Sequence, residues 1–318
     1  MISRKERERS KRKGKGFKRF FLLLILIVVA GAVIFGFMEY RKGLKEAGDG
    51  SYKNDGEQFG EFDGETPKSG EIKILMIGND ARQKDGGHGR SDTMMIGYYN
   101  QKTNETKLVS LMRDLYVDIP GHGKQKLNAA FSIGGPELVR QTIKENFGVD
   151  INYYAVVDFA GFPKLIDLLA PEGIKVNIPE TMSYGIGMTL HPGEQTLNGK
   201  ETLAYVRFRH DAQSDFGRVK RQQEVLEKVK EQALRAQTIV KLPKLLGLTD
   251  PYVDTNISNG TLFSIGKGML LHNSKGVETM SLPVAGSYSD LRTDVGLVLN
   301  ADIQQNSQAL QQFLSGSK

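Results

Sequence analysis

The chain contains no cysteine and no tryptophan. Without thiols, a disulfide scaffold, cysteine-held zinc, an iron–sulfur cluster and thiol catalysis are all excluded. Its five histidines lie at 88, 122, 191, 210 and 272, and no two share the i,i+4 spacing of a helical zinc centre. There is no Walker-type phosphate loop and no G-x-S-x-G nucleophile elbow, and Gly266-Lys267-Gly268 is too short for a dinucleotide fingerprint. Nucleotide-dependent chemistry therefore has little support. Beyond residue 19 there is also no block of like charge. The net charge of +6 comes from the first nineteen residues, which hold ten Lys or Arg against two Glu. The rest of the chain holds 33 basic and 35 acidic residues. A basic domain surface of the kind that binds nucleic acid is absent, and no nucleic-acid partner is expected.

That basic tail (1–19) runs directly into Phe20–Met38, FFLLLILIVVAGAVIFGFM, 19 residues without a charge. At a helical rise of about 1.5 Å per residue this run spans roughly the hydrocarbon thickness of a bilayer. A cleaved signal peptide has a shorter apolar core with small residues after it, whereas here Ala30-Gly31-Ala32 lies inside the run. The expected organisation is therefore a cytoplasmic tail, a single-pass transmembrane anchor over 20–38 and an extracellular remainder, following the positive-inside bias. The stretch 39–70 is rich in glycine and polar residues and reads as a flexible linker.

From residue 71 to 318 the texture is that of one folded domain. Short apolar runs at Ile72–Ile77, Thr93–Tyr99, Lys107–Met112, Tyr153–Val157, Ile174–Ile178 and Val277–Leu282 predict strands. Helical spacing predicts helices over Ala130–Phe147, Phe162–Leu169, Gly217–Ala236 and Ser258–Leu271. This interspersion implies an α/β or α+β sandwich around a central sheet.

Three polar clusters can carry chemistry. Asp80 with Arg82, and Arg90 with Asp92, flank a glycine-rich connection between two strands. The carboxylates suit a hard divalent cation and the arginines suit phosphate oxygens, although a solvated hairpin loop has the same composition. Arg113-Asp114 follows a strand, where it is either functional or a local ion pair. The densest cluster is Arg207, Arg209, His210, Asp215, Arg218 and Arg221, with Gln222 next. Arg207 and Arg209 share a side if their segment is extended, and Arg218, Arg221 and Gln222 share a helix face. The charge is concentrated at one point, which suits a diphosphate better than a long polyanion. Arginine also offers the bidentate contacts that lysine lacks. The competing reading is a charged helix surface paired with Asp211, Asp215 and Glu224.

Taken in order, IGNDAR at 77–82, GRSDTMM at 89–95, SLMRDLYVDIP at 110–120, KLNAAFSIGG at 126–135, LNGKETLAYVRFRH at 197–210 and DFGRVKRQQEVL at 215–226 resemble the LytR-CpsA-Psr family of Gram-positive cell-wall ligases. The resemblance implies an αβα-type sandwich around a central mixed sheet, with a deep apolar pocket for a polyprenyl chain. It implies transfer of an anionic glycopolymer, such as wall teichoic acid, from an undecaprenyl-diphosphate carrier to the muramic acid C6 hydroxyl of peptidoglycan. The family's magnesium-binding acids match Asp80 and Asp92, so Mg2+ is the implied cofactor. Its diphosphate-binding arginines match Arg90, Arg113, Arg207, Arg209 and Arg218, and its head-group glutamine matches Gln222. Asp215 matches a family acid beside them, and Arg82, Lys126 and Arg221 are implied supporting positions. Asp92, Arg113 and Asp215 are then the catalytic candidates, with the general base open between Asp92 and Asp215. The alternatives are a capsule polysaccharide ligase, a lipid-diphosphate pyrophosphatase and a non-catalytic envelope regulator that binds lipid-linked polymer.

Overall fold

The computed structural model describes residues 30–48, 59–80, 88–211, 213–236, 241–271 and 276–315. Its centre is a six-stranded sheet built from β1 (Glu71–Asp80), β2 (Arg90–Asn100), β3 (Thr106–Leu111), β6 (Tyr153–Asp158), β9 (Asp254–Thr255) and β10 (Glu278–Leu282), in the order β10-β3-β2-β1-β6-β9. Strands β1, β2 and β3 form an antiparallel meander, while β6 joins β1 and β10 joins β3 in parallel. The sheet is therefore mixed.

Both faces are covered, and the period-2 alternation of β1 shows how. Leu75 and Ile77 point into a core shared with helices α2 (Leu127–Phe147) and α8 (Ile303–Ser315), where Phe131, Val139, Ile143, Phe147 and Leu310 are buried. Met76 and Gly78 point to the opposite face, toward α3 (Phe162–Leu169), α4 (Gly199–Arg207) and α5 (Ser214–Ala236). These helices pack with the hairpin β7 (Ile174–Ile178)/β8 (Gly193–Leu197) into a second cluster around Ile166, Ile174, Tyr205, Val225 and Val229. The two clusters do not meet fully across the sheet, and a cavity is left on the α3–α5 side. The hairpins β4 (Tyr116–Ile119)/β5 (Gly123–Lys126) and β11 (Tyr288–Thr293)/β12 (Gly296–Ala301) sit at the periphery.

The run 20–38 is described only from residue 30; residues 30–46 are helical (α1), and residues 20–29 lie outside the described residues. Among the described residues no helix is long and apolar enough to cross a membrane. The linker expectation for 39–70 does not hold at either end. Residues 39–46 continue α1, and Ala47 is buried with its carbonyl accepting from the Tyr252 hydroxyl at 2.6 Å. Further on, Phe59 joins the main core and packs at a tilt against Phe131 and edge-on against Tyr154. A few apolar side chains, spaced among glycines, are enough to dock a polar segment.

Candidate active site

The site is assembled at one end of the sheet, and a β-bulge sets its geometry. Gly78 pairs with Thr93 and Asn79 pairs with Ser91, so Asp92 is the extra residue on β2. In a regular strand Asp92 and Thr93 would face opposite sides of the sheet. Because a bulge re-aims side chains, both line one polar pocket. Asp80 lies two residues past the shift, opposite Arg90 in the register. The side chain of Arg90 and the whole of Arg82 lie outside the described residues.

Arg113 follows β3 in a turn and reaches back to the bulge. Its Nη1 donates to Asp92 Oδ1 at 2.6 Å, its Nε donates to Asp114 Oδ2 at 3.1 Å, and Asp215 Oδ2 stands 4.0 Å from the same nitrogen. Burial acts to lower the guanidinium pKa, but Asp114, Asp92 and Asp215 together outweigh it and hold Arg113 above its ordinary value. Lys126, at the α2 N-cap, pairs with the other Asp114 oxygen at 2.7 Å. Lys126 therefore anchors Asp114 behind Arg113 and is not among the residues lining the pocket.

The rest of the cationic wall comes from α4, α5 and the turn between them. Asn198 and Glu201 form a reciprocal capping box that starts α4. The helix continues through Arg207, and only at Phe208 does the backbone become extended. The extended reading of Arg207 is thus corrected, since it is the last residue of a helix. Arg207 and Arg209 still enter the same pocket because the chain turns between them. Arg207 also lies over the Phe159 ring, 5.0 Å from its centroid.

Arg218, from α5, is 3% exposed. Its Nη2 is 3.1 Å from Asp215 Oδ1, but its buried Nε has no hydrogen-bond partner. Burial first, and then the neighbouring cations Arg113 and Arg209, bring its pKa down to about 10 despite Asp215 and Asp92. A buried cation with an unsatisfied donor, lining a pocket with two more arginines, is prepared for an anion. Gln222, one turn further along, donates to Thr93 Oγ1 at 2.8 Å.

Arg221 is placed differently from its helix neighbours. It pairs with Asp211, donates to the Phe208 carbonyl and stacks on Tyr205 and Phe208, so it does not line the pocket. Its work is to tie down the α4–α5 turn that carries Arg207 and Arg209. Gly217 leaves room there, because a β-carbon would lie 2.7 Å from an Asp211 carboxylate oxygen and would push that side chain off Arg221.

Behind this polar pocket of about 90 Å³ lies an apolar cavity of about 300 Å³. Thr93, Phe159, Val206 and Gln222 line both, so the two spaces adjoin. The cavity is walled by Met76, Met95, Ala155 and Val157 of the sheet and by Phe162, Leu165, Leu169, Leu226 and Val229 of the helices. Three pocket residues, Tyr184, Gly185 and Phe159, carry no signal in the sequence; Tyr184 lies in the β7–β8 connection and packs edge-on against His210 with ring centroids 4.2 Å apart.

The metal implied at Asp80 and Asp92 meets an all-oxygen donor set, the chemistry of a hard cation rather than of zinc. Among the described residues no group of three or more His, Cys, Asp or Glu side chains converges as a cage. A pair of carboxylates is the kind of donor an ion of the magnesium type takes, since it completes its shell from phosphate and water.

The family model for the LytR_cpsA_psr family matches residues 36–312. The Staphylococcus aureus (strain COL) protein named Regulatory protein MsrR is 44% identical over 255 residues, covering 80% of this chain and 77% of that protein. The Oceanobacillus iheyensis protein named Polyisoprenyl-teichoic acid–peptidoglycan teichoic acid transferase TagU is 31% identical over 267 residues, covering 81% and 82%. The crystal structure of B. subtilis TagV superposes with a TM-score of 0.67 at 28% identity, covering 79% of this chain and all of that one. With the family model spanning most of the chain, the protein belongs to the LytR-CpsA-Psr family, related to the teichoic acid transferases.

Proposed function

We propose that this protein is a membrane-anchored phosphotransferase that moves an anionic glycopolymer, wall teichoic acid first among candidates, from a polyprenyl-diphosphate carrier to the muramic acid C6 hydroxyl of peptidoglycan on the outer face of the membrane. The observation that carries the reading is an arginine-lined pocket, with the orphaned Nε of buried Arg218, set directly against an apolar cavity. That shape fits an amphipathic ligand with a doubly anionic head and a long hydrocarbon tail.

In the reaction, the acceptor hydroxyl oxygen attacks the phosphorus that bears the sugar. The P–O bond to the lipid phosphate breaks, and the departing polyprenyl phosphate takes the electron pair. Such transfers need positioning and charge stabilisation more than covalent help. Arg207, Arg209 and Arg218 hold the diphosphate and take up charge on the leaving phosphate. Gln222, at the seam of the two spaces, orients the head. Arg113, locked by three carboxylates, fixes Asp92 at the bulge. Asp92 is the described carboxylate that lines the pocket, so it is assigned the hydroxyl proton, and Asp215 holds Arg113 and Arg218 in register. A magnesium ion held by Asp80 and Asp92 would neutralise diphosphate charge when bound.

The test is incubation of the full chain, reconstituted in membranes, with a lipid-diphosphate-linked disaccharide, magnesium and peptidoglycan oligomers, followed by mass spectrometry. A phosphodiester conjugate with release of polyprenyl phosphate is expected, and is lost in Arg218→Ala. Free sugar phosphate made equally well without acceptor indicates a hydrolase instead. The 44% identity to a protein named as regulatory favours a second reading, in which the same pocket binds lipid-linked polymer without turnover. Saturable binding with no product would select it.

A further inference from the structure

The helices α6 (Leu242–Thr249) and α7 (Asn259–Leu271) are apolar in sequence, LPKLLGLT and NGTLFSIGKGMLL, yet bury little. Of thirteen α7 residues only Ile265 is buried, and in α6 only Leu242 and Gly247 are. Ile265 and Met269 pack on Ile72 and Tyr99, a register pair of the central strands β1 and β2 at the end of the sheet away from Asp80. The opposite stripe of α7, spaced i, i+4, i+7 and i+8, is Phe263, Lys267, Leu270 and Leu271. Leu271 is 56% exposed, and Lys267 is exposed between the apolar side chains. Phe263 and Leu270 are half-buried, so the outer side of α7 is an apolar surface that the rest of the described protein covers only in part, with Lys267 in its midst.

The contacts of α1 fix the depth of this pair. A β-carbon at Gly43 would lie 2.1 Å from the Lys244 carbonyl, and one at Gly247 would lie 2.1 Å from the Tyr40 carbonyl. The two helices therefore cross backbone to backbone, a packing that only glycine permits. The crossing is reinforced by Lys244 and Glu46 at 2.6 Å. A β-carbon at Gly36, within the apolar run 20–38, would lie 3.9 Å from Pro243 of α6, and one at Gly266 of α7 would lie 3.1 Å from Leu242, so these segments run side by side. Met38 ends the run two residues beyond Gly36, about 3 Å along the helix axis. Whatever depth Gly36 takes in the membrane, Pro243, Leu242 and the middle of α7 take it too.

We propose that α6 and α7 form a membrane-seating surface, with the outer stripe of α7 lying in the headgroup and acyl boundary of the leaflet beside the anchor. This rests on the reading of 20–38 as a membrane span. The lysines Lys241 and Lys267 reach up to lipid phosphates while their stems and the neighbouring leucines lie in the apolar layer. The docked α1 then acts as a rigid stalk. Because α6 and the turn at Asp250–Tyr252 also pack on α3, whose Phe162, Leu165 and Leu169 wall the apolar cavity, the seating holds that cavity against the bilayer.

The absence of cysteine makes the test direct, since each single-cysteine variant carries one label. Leu271→Cys, Lys267→Cys, Val33→Cys on α1 and Leu297→Cys on β12 are each labelled with bimane, all at exposed positions. The full chain is placed in nanodiscs, and quenching by acyl-chain bromolipid is compared with quenching by aqueous iodide. The proposal expects bromolipid to quench the labels at 33, 267 and 271, and iodide to quench the label at 297. A lipid-quenched label at 33 with iodide-quenched labels at 267 and 271 overturns the seating and leaves the anchor standing. An iodide-quenched label at 33 overturns the anchor and the seating with it. Labels at 267 and 271 shielded from both quenchers show that protein covers the stripe, which also overturns the proposal.

Discussion

Arg218 separates ligand binding from stability. In the free protein its guanidinium is almost fully buried, leaves Nε unsatisfied and sits near Arg113 and Arg209, so its charge is poorly compensated. Replacing a buried ion pair by apolar side chains of similar volume is often neutral or stabilising by about 1–4 kcal/mol, whereas removing one partner is costly where it strands the other charge in the interior. Asp215 keeps Arg113 as a partner at 4.0 Å, which limits the damage to the other half of the pair. Arg218→Met is therefore expected to leave the melting temperature unchanged or to raise it by a few degrees, at about 2–4 °C per kcal/mol for a domain of this size. Binding should move the other way. Loss of one or two charge-assisted hydrogen bonds to a diphosphate, at about 1.5–3 kcal/mol each, predicts about a hundredfold weaker binding of a short-chain polyprenyl diphosphate. Thermal unfolding with and without that ligand measures both effects on one sample. A variant that melts well below the parent yet keeps its ligand-induced shift would refute the reasoning, because Arg218 would then be a structural ion and not part of an anion site.

Other predictions concern separate parts of the molecule. Gly217→Ala puts a β-carbon 2.7 Å from the Asp211 carboxylate, so turnover is expected to fall at least tenfold; crystallography or amide exchange should find the α4–α5 turn loosened. Arg221→Lys loses the paired and stacked contacts of that turn and should lower stability by about 1–3 kcal/mol in chemical denaturation, with the affinity for free diphosphate little changed. Asp254 is held up to about 6 by burial, partly offset by the Tyr154 hydroxyl, and its Oδ2 has no hydrogen-bond partner. The folded state therefore binds this proton more tightly than the unfolded chain, so stability falls as pH rises from about 4 to 6 and is level above that, by up to about 3 kcal/mol. Asp254→Asn should remove that slope in a pH series of denaturation curves. Asp80→Ala with Asp92→Ala should abolish any dependence of turnover on added magnesium while the circular dichroism spectrum is retained.

Much of the scaffold is legible because its elements announce themselves by apolar content. The runs in β1, β2, β3, β6 and β7 are long or β-branched enough to read as strands, and α3 and α5 carry clear helical spacing. The polar elements do not. In β5 (GKQK) and β11 (YSDLRT) no residue is buried, and in β8 (GEQTL) only one is, so no core pattern betrays them. Tyr205-Val206-Arg207-Phe208-Arg209 alternates like a strand, but the Asn198–Glu201 capping box upstream commits the backbone to a helix through Arg207. The densest arginine cluster was visible, yet which of its members faces the pocket was not. Arg218 and Arg221 are one turn apart on the same helix, and only the position of Asp211 turns one inward and the other toward the loop. Asp92 could be singled out as a carboxylate, but its direction depends on a bulge that exists only in the pairing of two strands. Tyr184 gives no signal because a lone aromatic between two short strands has no period to stand out from.

The most direct test of the central claim is the product of the reconstituted full chain supplied with a lipid-diphosphate-linked disaccharide and peptidoglycan oligomers. The account predicts a phosphodiester-linked conjugate, one polyprenyl phosphate released per conjugate formed, and neither product from Arg218→Ala. Polyprenyl phosphate released at the same rate without peptidoglycan, or bound lipid with no conjugate at any acceptor concentration, would contradict it.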